Sequence, residues 1–206
     1  MQSCFLGVDI GTTAMKILAV GQDGNTIGLY REDTPKKIIE GITFLDLKRI
    51  YEFFLKIYAK TRNSYKILGV SCASISESVI PIRNSKALTD PIIWYEDCTL
   101  AYKNSYGEKA EALSGYGVSG FENEHIFSLY KILWTQDQIK PQTVDFWIPV
   151  SSYIPFMMTG RAVWDITQGC RSYMMNVHTR SWNKELIDFF ILCGNLGELK
   201  YMSSLI

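Results

Sequence analysis

The sequence predicts an α/β domain with a mixed sheet flanked by helices. Three observations carry this. Three short apolar runs near the N-terminus are separated by turn residues, an amphipathic helical pattern follows them, and a further apolar run follows the helix. Residues 4–10 (CFLGVDI) form the first run and are broken by Gly11. Residues 14–20 (AMKILAV) form the second, and residues 26–30 (TIGLY) form the third after the turn Gln22-Asp23-Gly24-Asn25. Short runs divided by glycine turns read as antiparallel strands joined by hairpins. The first two are apolar enough to predict cover on both faces.

Residues 43–62 place Leu47, Ile50, Tyr51, Phe54, Ile57 and Tyr58 at helical spacing, with Lys48, Glu52, Lys56 and Lys60 opposite. The stripe Tyr51, Phe54 and Tyr58 reads as packing of helix on sheet. Residues 66–73 (KILGVSCA) predict a buried strand. A second amphipathic helix is expected over 124–139, ended before Pro141. A strand is expected over 145–149, and a last helix over 184–192 with Gly194 near its end. No repeat, low-complexity tract or linker divides the 206 residues, so they read as one domain.

Hydrophobic residues are 47% and charged residues 20%, an ordinary globular balance that argues against disorder. The 21 basic and 21 acidic residues cancel, which disfavours nucleic acid and anionic membranes as partners. No apolar run approaches the ~20 residues of a spanning helix. The opening MQSCFLGVDIGTTAMK lacks the basic flank and cleavage site of a signal peptide. The five cysteines (4, 72, 98, 170 and 193) are scattered without a CxxC pair, and there are two histidines. Neither a zinc site nor a disulfide framework is expected, and the cysteines read as small core residues. His125 and His178 lack partner spacing and read as structural or exposed. The expectation is a soluble, cytoplasmic protein.

Asp9-Ile10-Gly11-Thr12-Thr13 lies between two strands, and two readings are open. A carboxylate ending an apolar strand needs a cation, water or donors. Gly11 permits a tight turn, and successive N–H groups with two threonine hydroxyls can cradle a phosphate, beside which Asp9 suits Mg²⁺ through its water shell. Alternatively, Asp9 only bonds to its own hairpin turn.

LGVDIGTTAMKILAV, with the following Asp-Gly turn and third strand, resembles the first phosphate loop of the actin-like ATPase superfamily. Later segments narrow the resemblance to the FGGY family of carbohydrate kinases, nearest to its xylulokinase-like members. GVSCASISESVIPI (69–82) is similar to the family's sugar-contacting strand and loop. PIIWYEDCT (91–99) is similar to P-A-I-x-W-x-D-x-R-T. KILW (131–134) and MTGRAVWDITQGCRS (158–172) resemble the K-L-x-W, "L-T-G-x-x-x-T-D" and "A-S" stretches, and Ser181-Trp182 with Glu185-Leu186-Ile187 resembles W-x-x-E-L-L. These segments fall in order over nearly the whole chain.

The resemblance implies a ribonuclease H-like, actin-like ATPase domain, the first of two, and ATP-dependent phosphorylation of a sugar or polyol with Mg²⁺. It implies that Asp9 organises Mg²⁺ and the transferred phosphate. Gly11, Thr12 and Thr13 would bind the β- and γ-phosphates, with Lys16 either reaching them or lying at the surface. Glu77 and Ser78 would contact sugar, within the polar cluster Ser74, Ser76 and Ser78; Glu77 could equally be a solvated loop residue. Trp94, Tyr95 and Glu96 would offer an aromatic face to sugar C–H groups and a carboxylate to hydroxyls; a core tryptophan beside an exposed acid is the plain alternative. Glu96 stands where the family has Asp, and Cys98 where it has Arg, a fork-shaped donor that cysteine cannot replace. Asp165, matching the T-D position, reads as a helix cap.

The family's catalytic base is an Asp in a downstream glycine-rich loop. After residue 160 the glycines are 169, 194 and 197, and none precedes Asp. The second phosphate loop and adenosine site are likewise expected beyond residue 206, in a C-terminal domain that would be this domain's partner, with residues 196–206 leading towards it. Two functional classes follow: an N-terminal kinase domain inactive by itself, or a non-catalytic module that binds sugar or a partner. Self-association as a homodimer, through the face that would pack on that second domain, is a further expectation.

Overall fold

The computed structural model describes residues 1–140, 143–190 and 192–201. Strands β1 (Gln2–Ile10), β2 (Ala14–Gly21) and β3 (Thr26–Asp33) form an antiparallel meander. At the turn before β3, the Asp23 carboxylate accepts from the backbone and side-chain nitrogens of Asn25, which holds its pKa low. Gly24 there has φ +82°, a backbone that L side chains resist. A hairpin that the sequence did not predict follows: β4 (Lys36–Ile39) and β5 (Ile42–Leu45). Residues 43–45 are therefore strand, a correction to the expected start of the first helix.

Helix α1 (Leu47–Arg62) begins where Asp46 Oδ1 accepts from Arg49 N at 3.1 Å, and it carries Lys60 and Arg62 in its last turn. Both ends suit the helix dipole. Its buried face holds Leu47, Ile50, Phe53, Phe54 and Ile57, with Tyr51 and Tyr58 half-buried beside them. The helix is the crossover to β6 (Tyr65–Ser74), which pairs with β1 in parallel and completes the order β3-β2-β1-β6.

The expected double cover of β1 and β2 is corrected. Their residues alternate, with Leu6, Val8, Ile10, Ile17 and Ala19 under α1 and Phe5 and Leu18 exposed. β6 alternates too rather than being buried throughout. Leu29 on β3 is 63% exposed on the same face as Leu18, its register partner. Leu68, the residue skipped by the bulge opposite Cys4/Phe5, is also exposed. Strands this apolar outnumber the helical surface that the described residues lay over them.

β7 (Val79–Arg83) leaves β6 through residues 75–78 and pairs with β8 (Lys86–Ala87) and β9 (Phe146–Pro149) in a second sheet. A 3₁₀ turn at Asp97–Thr99 leads into α2 (Leu100–Ser114), α3 (Tyr116–Ser119) and α4 (Ser128–Ile139). α4 starts four residues later than expected and is buried nearly all round, not amphipathic. After β9 come α5 (Val150–Thr159), β10 (Val163–Asp165) and α6 (Ile166–Cys170), which Asp165 caps through Thr167 N at 2.9 Å. The chain then forms β11 (Met175–Asn176), β12 (Ser181–Trp182), α7 (Lys184–Phe190) and β13 (Glu198–Lys200). Of the expected features here, Pro141, residue 191 in the last helix and residues 202–206 of the C-terminal stretch lie outside the described residues.

Two apolar cores result. One lies between α1, α5 and the main sheet; the other gathers Phe127, Tyr130, Trp147, Trp164, Tyr173 and Leu186. Trp164 Nε1 donates to Trp147 O at 2.7 Å, so its buried indole is satisfied. Cys4 and Cys72 are buried as expected, whereas Cys98, Cys170 and Cys193 are only partly so; all five thiols are free. Among the described residues no helix is long and apolar enough to cross a membrane.

Candidate active site

The parallel strands β1 and β6 end side by side, with Ile75 N donating to Ile10 O at 2.9 Å. The loops at these ends bring the candidate residues together, as carboxyl ends of parallel strands commonly do.

The first loop, residues 11–13, is a hairpin open to solvent. Gly11 N donates to Ala14 O at 3.1 Å, so this N–H is spent within the turn and is not the free donor expected from the sequence. The N–H groups of Thr12 and Thr13 have no partner among the described residues. Thr34 pins the loop from behind: its hydroxyl donates to Gly11 O at 2.6 Å and its N–H to Thr13 O at 3.0 Å. A Cβ at Gly11 would lie 2.9 Å from Ala14 O, so glycine is required by close approach. Asp9 and Lys16 face each other across β1 and β2, with Nζ 3.4 Å from Oδ2 and both half exposed. Such a pair contributes ~0–1 kcal/mol and opens readily. Beneath it, burial and then the Asp9 charge push the Cys72 thiol up to about 12.

Trp94 reaches this loop from a distant segment. Its Nε1 donates to Thr12 Oγ1 at 3.2 Å, across 82 residues. Tyr95 meets the indole edge-on at 5.5 Å and is itself 41% exposed. The unpredicted hairpin holds the segment: Ile93 N donates to Thr43 O at 3.1 Å, and Leu45 N to Pro91 O at 3.0 Å. Glu96 Oε1 accepts from Thr43 N at 3.0 Å, so that oxygen braces β5.

Glu77 is not a solvated loop residue. It is 5% exposed and has φ +65°. That backbone costs on the order of 1–3 kcal/mol in a residue with a side chain. Its carboxylate is matched by Arg171, whose Nε donates to Oε1 at 2.6 Å and whose terminal nitrogen contacts the same oxygen. Lys131 stands nearby, 0% exposed, donating to Ile126 O at 2.7 Å. Burial lowers its pKa to about 8, with the charges of Glu77, Cys98 and Glu96 opposing. Ser78 is buried, and its hydroxyl has no partner among the described residues. Cys98 is partly buried, and burial raises its thiol pKa while Lys131 lowers it.

Sequence reasoning placed Asp9, Gly11, Thr12, Thr13, Lys16, Glu77, Ser78, Trp94, Tyr95 and Glu96 at the site. It missed Thr34, Lys131 and Arg171. A lysine inside the apolar stretch SLYKILW was the signal for Lys131; a buried cation needs a polar neighbour. Of the histidines, His125 Nε2 is 3.2 Å from a carboxylate oxygen of Asp97, the residue after Glu96, and His178 Nε2 is 2.9 Å from Gly117 O. Among the described residues there is no cluster of three or more His, Cys, Asp or Glu fit to hold a metal. A cation beside Asp9 would thus have one protein carboxylate, which fits Mg²⁺ carried mainly by water and phosphate oxygens.

The sequence profile of the FGGY family of carbohydrate kinases, N-terminal domain, matches residues 4–203. A glycerol kinase of Gluconobacter oxydans is 22% identical over 210 residues, spanning 92% of this chain and 40% of that protein. A xylulose kinase of Staphylococcus epidermidis is 26% identical, spanning 94% and 39%. The crystal structure of gluconate kinase from Lactobacillus acidophilus superposes with a TM-score of 0.82 at 24% identity, covering 96% of this chain and 42% of that one. The chain spans about two fifths of the length of the relatives it matches.

Proposed function

The chain belongs to the FGGY family of carbohydrate kinases, matching its N-terminal domain, and on that ground we propose that it provides the acceptor site and first phosphate loop of an ATP-dependent kinase. The reaction proposed is transfer of the γ-phosphoryl group of ATP to a hydroxyl of a neutral sugar or polyol. The observation that carries the reading is the Trp94 indole seated on the Thr12 hydroxyl. It joins an aromatic sugar platform to a loop with two free N–H donors, as a transfer between two bound substrates requires.

In this reading the Thr12 and Thr13 N–H groups donate to phosphate oxygens, and Lys16 swings from Asp9 to the phosphates. Asp9 would hold Mg²⁺, which would supply charge neutralisation to the transferred group. Trp94 and Tyr95 face sugar C–H groups, while Glu77, Ser78 and Glu96 face hydroxyls. The acceptor is taken as uncharged because the two cations beside Glu77 are engaged, Arg171 with that carboxylate and Lys131 with a carbonyl. A sugar acid would have to displace one of them. Relatives named for glycerol, xylulose and gluconate match alike, so the choice of a neutral acceptor rests on the site residues and not on the relatives. The rest of a longer kinase is the proposed partner and source of the base, and the cytoplasm, rich in ATP and reducing enough for five free thiols, is the proposed compartment.

The test is acceptor-dependent ADP release by the protein that carries this domain, with glycerol, pentuloses, hexoses and gluconate as acceptors. Neutral acceptors should turn over, and Asp9→Ala should lower kcat at least ~10²-fold, as loss of a phosphate-charge partner does. Preference for gluconate, or full activity of Asp9→Ala, would overturn the reading.

A further inference from the structure

The acceptor-site reading leaves open what fixes the Glu77 carboxylate, which sits on a left-handed backbone in surroundings nearly closed to water. Both Arg171 contacts fall on Oε1, and Oε2 accepts no hydrogen bond among the described residues. The guanidinium is itself confined. Its central carbon lies 4.8 Å from the ring centroid of Phe121 and 5.2 Å from that of Phe127. Phe127 in turn stacks on Tyr173 at 5.3 Å and 13°, and the Tyr173 hydroxyl donates to Glu111 at 2.7 Å. Arg171 is the C-cap of α6, whose other end Asp165 fixes. The guanidinium plane is thus set by aromatic faces and its position by a capped helix. A flexible ammonium could supply the charge but neither the fork nor the stacking.

We propose that Arg171 is a positioning residue for acceptor binding: stacked on Phe121 and Phe127, it clamps one oxygen of Glu77 and leaves the other presented to an acceptor hydroxyl. This rests on the reading of Glu77 as an acceptor ligand. It adds a residue whose effect passes wholly through that carboxylate. Lys131, donating to a carbonyl instead, balances charge without orienting the carboxylate.

The experiment measures acceptor KM, ATP KM and kcat in the protein that carries this domain, for Glu77→Gln, Arg171→Lys and the double variant. A neutral polyol that the wild type phosphorylates serves as acceptor. Arg171→Lys should raise acceptor KM roughly tenfold, the loss of one charge-assisted bond's orientation, with kcat and ATP KM within about twofold. Glu77→Gln should raise acceptor KM by a larger factor, and adding Arg171→Lys should change it no further. Phe121→Leu keeps the charge and loosens only the stack, so it should reproduce a smaller rise in acceptor KM even if Arg171 variants fold poorly. Equal factors for Arg171→Lys with and without Glu77, or losses confined to kcat and ATP KM, would overturn the positioning role. An unchanged acceptor KM in Glu77→Gln would instead overturn the acceptor site itself.

Discussion

Lys131 is held in α4 with its whole side chain out of water, and its lowered pKa has a definite consequence for stability. The native state favours the neutral amine, so it binds fewer protons than the unfolded chain between pH about 8 and the ordinary 10.5. The contribution of Lys131 therefore becomes more favourable as pH rises through that window and is flat below it. The full swing is roughly 3 kcal/mol. Cys72 and the buried tyrosines, whose pKa values are raised, act the opposite way at high pH, so the comparison must be differential. The unfolding free energy of wild type minus that of Lys131→Met should climb between pH 8 and 10; a flat difference would mean the amine is solvated. At Gly11 the added Cβ must move the Ala14 carbonyl. Gly11→Ala should weaken nucleotide binding by roughly tenfold or more in the intact protein and destabilise the chain by about 1–2 kcal/mol, read by titration and melting. Gly11 was legible from sequence because a glycine between two apolar runs marks a turn. The Glu77–Arg171 pair was not, because no local spacing announces a contact across 94 residues.

Elements were legible where their periodicity was their own. β1, β2 and β3 stand out because Gly11 and Asp23-Gly24 punctuate them, and α1 because its apolar stripe repeats over four turns. The β4–β5 hairpin was hidden because Phe44 falls in helical phase with Leu47 and the turn is Glu40-Gly41, both at positive φ, rather than a more familiar Asn-Gly. α2 was hidden because it buries little beyond Ala110 and Ser114 and carries Gly107 in its middle. α5 was hidden because its apolar run contains Pro155. Asp46→Ala removes the N-cap of α1 and should cost about 1 kcal/mol, a fall of roughly 2–4 °C in Tm. Trp94→Phe and Thr12→Val each cut the bond that ties the 91–96 segment to the 11–13 loop. A double-mutant cycle on acceptor binding should return a coupling of roughly 0.5–1.5 kcal/mol, and additivity would show the two loops to be independent.

For the whole molecule, the uncovered sheet face decides behaviour in solution. Phe5, Leu18, Leu29 and Leu68 lie on one side of β3-β2-β1-β6 with no described element over them. Contiguous apolar surface seldom stays bare, so the 206 residues by themselves should self-associate at micromolar concentration. Leu29→Lys, at the most exposed of these positions, should shift sedimentation towards monomer. The same 206 residues, spanning two fifths of their relatives, should show no acceptor-dependent ADP release. The sheet order also carries a consequence in time. The β1-β2-β3 meander closes short loops and can form early, whereas pairing β1 with β6 closes a loop of about sixty residues that includes α1. Glu77 and Arg171 are separated by 94 residues, so their contact should form later still. The Glu77–Arg171 contact should then be among the last to form, and a refolding chain should regain its strands before it regains that ion pair.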